Sequence, residues 1–272
     1  LLVLDGNSIL NRAFYGIKLL TTKDGHYTNA LVGFLNIFQK LRDQTAPDRI
    51  AVAFDRKAPT FRHQRYEAYK AGRKGMPEEL AEQLPVIKEL LGLMGCAVVE
   101  RDGYEADDIL GTLSAAAVQQ GGDCFIATGD RDALQLVDDK VTVLLAATKM
   151  GRPDTSAYDI PAIREKYGLS PAQLIDLKAL MGDASDNIPG VPGVGEKTAL
   201  ALLHTFHTLD ELYAHIDSPE IRDGVRSKLA AGKDSAYLSR ELGTICRQAP
   251  VETDMDAYVI RPAKREELAR LM

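Results

Sequence analysis

Nine carboxylates stand where short apolar runs end or where helices begin. They are Asp5 after LLVL, Asp55 after IAVAF, Glu105, Asp107 and Asp108 in YEADD, Asp130 and Asp132 in TGDRD, and Asp183 and Asp186 in MGDASDN. An Asp after a strand often only begins a turn, and an acid ahead of a helix often only caps it, so each one alone has an even claim to that ordinary role. Crowded together, carboxylates repel one another and either take up protons or need cations between them. Oxygen donors without His or Cys suit hard divalent ions, Mg²⁺ or Mn²⁺, and not zinc. Two such ions ~4 Å apart form the clamp that activates water and stabilises the leaving oxygen at a phosphodiester. All nine acids are therefore candidate ligands, with Asp5 also counted as catalytic. The five histidines offer no rival site: His204 and His207 lie three apart with no third ligand and are expected to face solvent.

The bases cluster as well. Between Arg56 and Lys74 lie seven, Arg56, Lys57, Arg62, Arg65, Lys70, Arg73 and Lys74, against one acid, Glu67. Phe61, Tyr66 and Tyr69 interleave with them, a mixture that suits a nucleic-acid backbone and an unpaired base. A charge run is usually a solvated helix face, but this one starts one residue after Asp55 and so projects over the acidic edge, where a cation would offset charge on a scissile phosphate. A second phosphate element is IPGVPGVGEKTA, residues 188–199. Its glycines leave backbone amides open, and a helix starting near Gly195 turns its positive end outward. Gly190, Val191, Gly193, Gly195, Lys197 and Thr198 are the candidate backbone-gripping residues, contacts that do not read sequence. The spacing before Lys197 does not fit a Walker loop.

These residues need a frame. Leu1–Leu4, Ile50–Phe54, Cys96–Val99, Cys124–Ala127 and Val141–Leu145 read as five buried strands. Helical spacing runs through Asn29–Leu41, Pro77–Met94 and Glu105–Gln119 between them, the second opening on Pro77, Glu78 and Glu79 as a helix start should. Alternating strand and helix predicts a parallel sheet covered on both faces, with ligand sites beyond the carboxyl ends of the strands, where Asp5, Asp55 and Asp130 converge. After about Pro153 only helical stretches follow. The expected division is an α/β domain over 1–160, a helical domain over 161–250 and a trailing linker over 251–272. In a chain of 272 residues with 26% charged residues, either domain can bury its own core. Net charge is −6, which by itself would count against a nucleic-acid partner, but the two signs are sorted along the chain. Three widely spaced cysteines, Cys96, Cys124 and Cys246, fit a reducing compartment and no zinc knuckle. No stretch approaches the ~20 apolar residues of a membrane span. The start LLVLDG lacks a basic flank and a cleavage site, so no membrane partner and no export are expected.

In order and spacing, LDGNS, AFDRKAPTFRHQRYEAYKAGR, YEADD, TGDRD and MGDASDNIPGVPGVGEKTA resemble the 5′-nuclease (flap endonuclease) domain of bacterial DNA polymerase I, from Leu1 to about Arg247. The resemblance implies a PIN-like α/β nuclease domain with a basic arch at about 56–76, followed by a helix-three-turn-helix (helix-hairpin-helix-type) DNA-binding domain. It implies 5′ to 3′ exonuclease and flap endonuclease activity with two Mg²⁺ or Mn²⁺ ions, on DNA carrying a 5′ flap, a nick or an RNA primer, in replication and repair. It also implies that Lys70 and Arg73 are catalytic arch residues at the scissile phosphate with Arg62 nearby, that Tyr69 reaches the displaced base, and that the hairpin around Val191 to Gly195 holds a K⁺. A monomer in the bacterial cytoplasm, associated with the nucleoid, goes with this. The chain starts at its first strand without a Met and stops near where a polymerase would continue, so a domain cut from a longer chain is expected. Gly75 stands where the family pattern has Pro.

Two rivals remain from other classes. A non-catalytic DNA-binding scaffold would have no use for nine crowded acids. A PIN-type ribonuclease acting on single-stranded RNA would have no use for a hairpin suited to duplex backbone.

Overall fold

In the computed structural model, which describes residues 1–149 and 152–271 (backbone only at 147–149 and 152–153), the five apolar runs become parallel strands. They are β1 (Leu2–Asp5), β2 (Ile50–Phe54), β3 (Ala97–Glu100), β4 (Cys124–Thr128) and β5 (Val141–Lys149). A sixth, β6 (Arg152–Tyr158), pairs antiparallel with β5 and completes the order β3-β2-β1-β4-β5-β6. RPDTSAY is polar and carries Pro, both depleted in strands, which is why sequence pattern stops at five; at an edge only one side must pair, and the composition is tolerated.

The side chains of β1 alternate across the sheet and so enter two cores. Leu2 and Leu4 join Val52 and Phe54 beneath α1 (Gly6–Gly16) and α2 (Asn29–Thr45). Val3 joins Ala51, Ala53 and Ile126 on the opposite face. A short α3 (Phe61–Arg65) follows β2, then α4 (Glu78–Ala81) and α5 (Gln83–Leu93), which covers the first core, and α6 (Ala106–Gln119), whose Ile109, Leu110 and Leu113 cover the second.

The helical part holds α7 (Ile160–Tyr167), α8 (Gln173–Met181), α9 (Glu196–Phe206), α10 (Leu209–Ala214), α11 (Asp223–Ala231) and α12 (Lys233–Gly243). α7 is framed by sequence: Asp159 caps it through Ala162 N at 2.9 Å, Pro161 fills its first turn, and Gly168 ends it at φ 67°. Its Ile163 packs in the α/β core, and a separate core begins at Leu169 with Leu180, Leu203 and Leu212.

The segment expected to trail as a linker over 251–272 is docked instead. Met255 and Tyr258 are buried in the core under α6, Val259 bridges Arg49, and Arg261 N donates to Gly95 O at 3.0 Å. A last helix, α13 (Arg265–Leu271), closes the described chain. The segment's isolated apolar residues show no periodicity because they fill separate depressions rather than one face.

Candidate metal-binding active site

Strand order reverses between β1 and β4, the position at which an open parallel sheet leaves a crevice at its carboxyl edge. A cavity of about 200 Å³ opens there, lined by Asp5, Asp55, Glu105, Asp107 and Asp130 together with Asn7, Ser8, Asn11, Lys70 and Arg73. Local structure fixes each acid. Asp5 Oδ1 caps α1 through Ser8 N at 2.9 Å, and its Oδ2 accepts from Thr128 Oγ1 at 3.1 Å. Asp55 Oδ1 accepts from Ala106 N at 2.7 Å, while Asn7 Oδ1 holds the Asp55 amide at 2.8 Å. Asp130 caps the 3₁₀ turn 131–136 through Asp132 N at 2.9 Å. Capping therefore aims these carboxylates; it does not remove them from the cavity.

Asp132, Asp183 and Asp186 form a second group, with ligand oxygens within 4.8 Å of one another. Asp183 is set by an Asx turn, accepting from Ser185 N at 2.8 Å. Lys178, on α8, pairs with Asp132 and, at 2.8 Å, with Asp183. Sequence reasoning missed Lys178; its signal is a lone base inside the apolar run LIDLKALM just ahead of the acids. Asn7 and Asn11 were also missed, though they sit one helical turn apart directly after Asp5 and are joined by a 2.9 Å bond.

Three expected site residues lie elsewhere. Asp108, fully buried, is not with the ligand candidates. It takes both ends of Arg62 at 2.8 Å, the Cys246 amide at 2.8 Å and the Glu105 amide at 3.0 Å. Arg62 is buried as well, donating also to Leu242 O and Thr244 O, so its guanidinium faces the interior. Adjacent helical residues point ~100° apart, and here Asp107 faces the cavity while Asp108 turns to Arg62. Tyr69 is buried too: its hydroxyl donates to Glu105 Oε2 at 3.2 Å and its ring packs with Ile188 and Leu242.

The rest of the basic segment does reach the acids. Lys70 Nζ pairs with Glu105 at 2.8 Å and lies 3.9 Å from Asp186, and Arg73 pairs with Asp186. Lys70 holds a left-handed backbone, φ 57°, fixed by its amide on Asp186 O at 2.8 Å. That is a strained conformation for a residue with a side chain, and it sits at the mouth of the cavity. Arg56 and Arg65 turn away to Asp102 and Glu241. In the hairpin, Gly190 and Gly193 have φ 62° and 80°, and Gly195 precedes α9. The amides of Glu196, Lys197 and Thr198 have no intrahelical acceptor, and Lys197 is exposed.

Electrostatically the cavity is under tension. Burial and neighbouring Asp55 push Asp5 up to about 7. Burial, then Asp5, Asp130, Asp132 and Glu105, push Asp107 well above the usual carboxylate range, and its Oδ1 is buried with no hydrogen-bond partner. Burial and Asp130 take Asp132 to about 6 against the pull of Lys178. An orphaned carboxylate oxygen among acids is the condition a divalent cation relieves, so this donor set fits hard ions. Because these pKa values are raised, the contribution of these groups to the stability of the metal-free fold is complete below about pH 4 and is lost as pH climbs through about 7. Asp183, which burial raises but Lys178 and Ser185 lower to about 2, contributes oppositely only in more acidic solution. With chelator the melting temperature should therefore fall between about pH 5 and about pH 8, and Mg²⁺ should raise it more at the higher pH. A flat profile by calorimetry would contradict the crowding.

Comparison with known proteins gives the geometry a family. The 5′-3′ exonuclease N-terminal resolvase-like domain matches residues 1–168, and the 5′-3′ exonuclease C-terminal SAM fold matches residues 169–266. DNA polymerase I of Caldicellulosiruptor bescii is 42% identical over 272 residues, 100% of this chain but 32% of that protein. The chain thus spans about a third of the length of the curated relatives it matches. Among solved structures, zinc-bound T5 5′-exonuclease shares the fold with a TM-score of 0.73 at 21% identity, over 100% of this chain and 97% of that one. A bacteriophage T5 flap endonuclease complex with DNA and metal ions does so with a TM-score of 0.72 at 20% identity, over 99% and 97%. Both family models lie end to end along the sequence, and the chain belongs to the 5′-3′ exonuclease family.

Proposed function

We propose that this chain is a structure-specific 5′ to 3′ exonuclease and flap endonuclease that hydrolyses DNA, and RNA-primer, phosphodiesters in replication and repair. The observation that carries this is the partnerless buried oxygen of Asp107 in an acid-lined cavity with Lys70 and Arg73 at its mouth. Asp5, Asp55, Glu105, Asp107 and Asp130 would hold one Mg²⁺ or Mn²⁺, and Asp132, Asp183 and Asp186 a second. When bound, the ions supply an activated water and charge relief at the leaving oxygen. Asn7 and Thr128 keep the strand ends in register around the acids. Lys70 and Arg73, exchanging carboxylate partners for phosphate, offset charge on the scissile group. Gly190, Val191, Gly193, Gly195, Lys197 and Thr198 grip duplex backbone. For K⁺ the hairpin offers less room, since Gly193 O already accepts from Lys228 Nζ at 3.1 Å.

The T5 flap endonuclease complex with DNA and metal ions supports a DNA substrate. The greater length of the polymerase relatives supports a polymerase domain fused to this one. A monomer acting in the cytoplasm at the nucleoid completes the proposal. No helix among the described residues is long and apolar enough to cross a membrane. The test is cleavage of a 5′-labelled flap duplex beside single-stranded RNA of the same sequence. Cuts confined to the flap junction and the 5′ end are expected. Preferred cleavage of single-stranded RNA would favour the ribonuclease alternative.

A further inference from the structure

We propose that Lys178 is a built-in counter-cation of the second carboxylate group, and that a divalent ion enters there only by displacing its ammonium. The proposal rests on the reading of Asp132, Asp183 and Asp186 as an ion site. It adds an order of binding: the cavity ion first and tightly, the second ion later and more weakly.

The two groups differ in what already neutralises them. In the cavity, Asp107 Oδ1 has no partner. In the second group every acid has one: Asp132 and Asp183 share Lys178, and Asp186 is paired with Arg73. The arrangement around Lys178 is built for this. Its side chain is 13% exposed, and its stem passes over Gly243 of α12, where a Cβ would stand 3.0 Å from Lys178 Cδ, so any larger residue would press on it. Room to move exists. A cavity of about 530 Å³ beside it is lined by Arg131, Asp132, Asp183 and Glu196, and Glu196 offers the displaced ammonium another carboxylate.

A positive charge within bonding distance of two ligands competes directly with an incoming ion. Removing it should tighten that site by about tenfold or more. The test is calorimetric titration of the protein with Mn²⁺. Two binding classes are expected for the wild type. Asp183→Asn should abolish the weaker class. Lys178→Gln and Lys178→Met should tighten the weaker class and leave the tighter one unchanged, and Lys178→Arg should behave as wild type. A measurement that needs no variant follows acylation of the Lys178 amine by mass spectrometry, which should rise as Mn²⁺ fills the weaker class. If Asp183→Asn removes the weaker class while neither neutral variant tightens it, or if acylation of Lys178 is unchanged by Mn²⁺, the counter-cation role is overturned and the two-ion reading stands. If Asp183→Asn leaves both classes intact, the second ion site itself is wrong and the proposal falls with it.

Discussion

Asp107→Asn should lower the single-turnover rate of flap cleavage by about 10³-fold or more, the equivalent of several kcal/mol of transition-state charge stabilisation at ~1.4 kcal/mol per factor of ten. The same change should raise the melting temperature of the metal-free protein at about pH 8. Both follow from one observation. Asp107 Oδ1 is buried without a partner, and burial with four neighbouring acids already resists its charge. Asparagine keeps the shape and removes the charge, so the fold gains what the ion site loses. Affinity for DNA should hold or improve, because a negative charge facing phosphate has gone. A variant that loses affinity and rate in equal proportion, measured by binding titration beside single-turnover kinetics, would contradict a ligand role.

The adjacent residue should behave in the opposite way. Asp108→Asn leaves the buried Arg62 guanidinium without its carboxylate, and breaking a buried ion pair from one side costs about 3–5 kcal/mol. Arg62 does not escape by losing its proton, since burial opposes its charge less than Asp108 and Glu105 support it. The loss should spread beyond α6, because Arg62 also holds Leu242 O at 2.9 Å and Thr244 O at 2.8 Å, and Asp108 holds the Cys246 amide. Urea unfolding in chelator should register it, with the Mn²⁺ affinity of the folded variant changed far less than in Asp107→Asn. Unchanged stability with lost Mn²⁺ affinity would return Asp108 to the ligand set.

Neighbouring acids with opposite fates mark the limit of sequence here. The rule that sites form beyond parallel strands brings Asp5, Asp55 and Asp130 together, as the structure does, and Glu105 and Asp107 at the start of α6 line the same cavity. Glu105 and Asp108 stand three residues apart at the start of α6, and that spacing forms a capping box around its first turn. Cap and ligand are not alternatives, since a carboxylate has two oxygens and Asp5 and Asp130 cap while still lining the cavity. The basic run reads as uniform charge, yet Arg62 goes inward, Arg56 and Arg65 pair away from the site, and only Lys70 and Arg73 line the cavity. Those destinations depend on partners far along the chain, Asp186 and Glu241 among them, and leave no local trace. Strand β6 and the docked segment after residue 250 escaped for a similar reason: edge pairing and isolated packing contacts have no period.

The central claim, that ions held by these acids make the phosphodiester labile, is tested most directly by single-turnover cleavage of one 5′-labelled flap duplex. The protein is first treated with chelator and then titrated with Mg²⁺ or Mn²⁺. Cleavage should be absent in chelator and return with the ion, at a cut site next to the flap junction, because among the described residues no His or Cys lines the cavity to act as general base in its place. Full cleavage in chelator would contradict it.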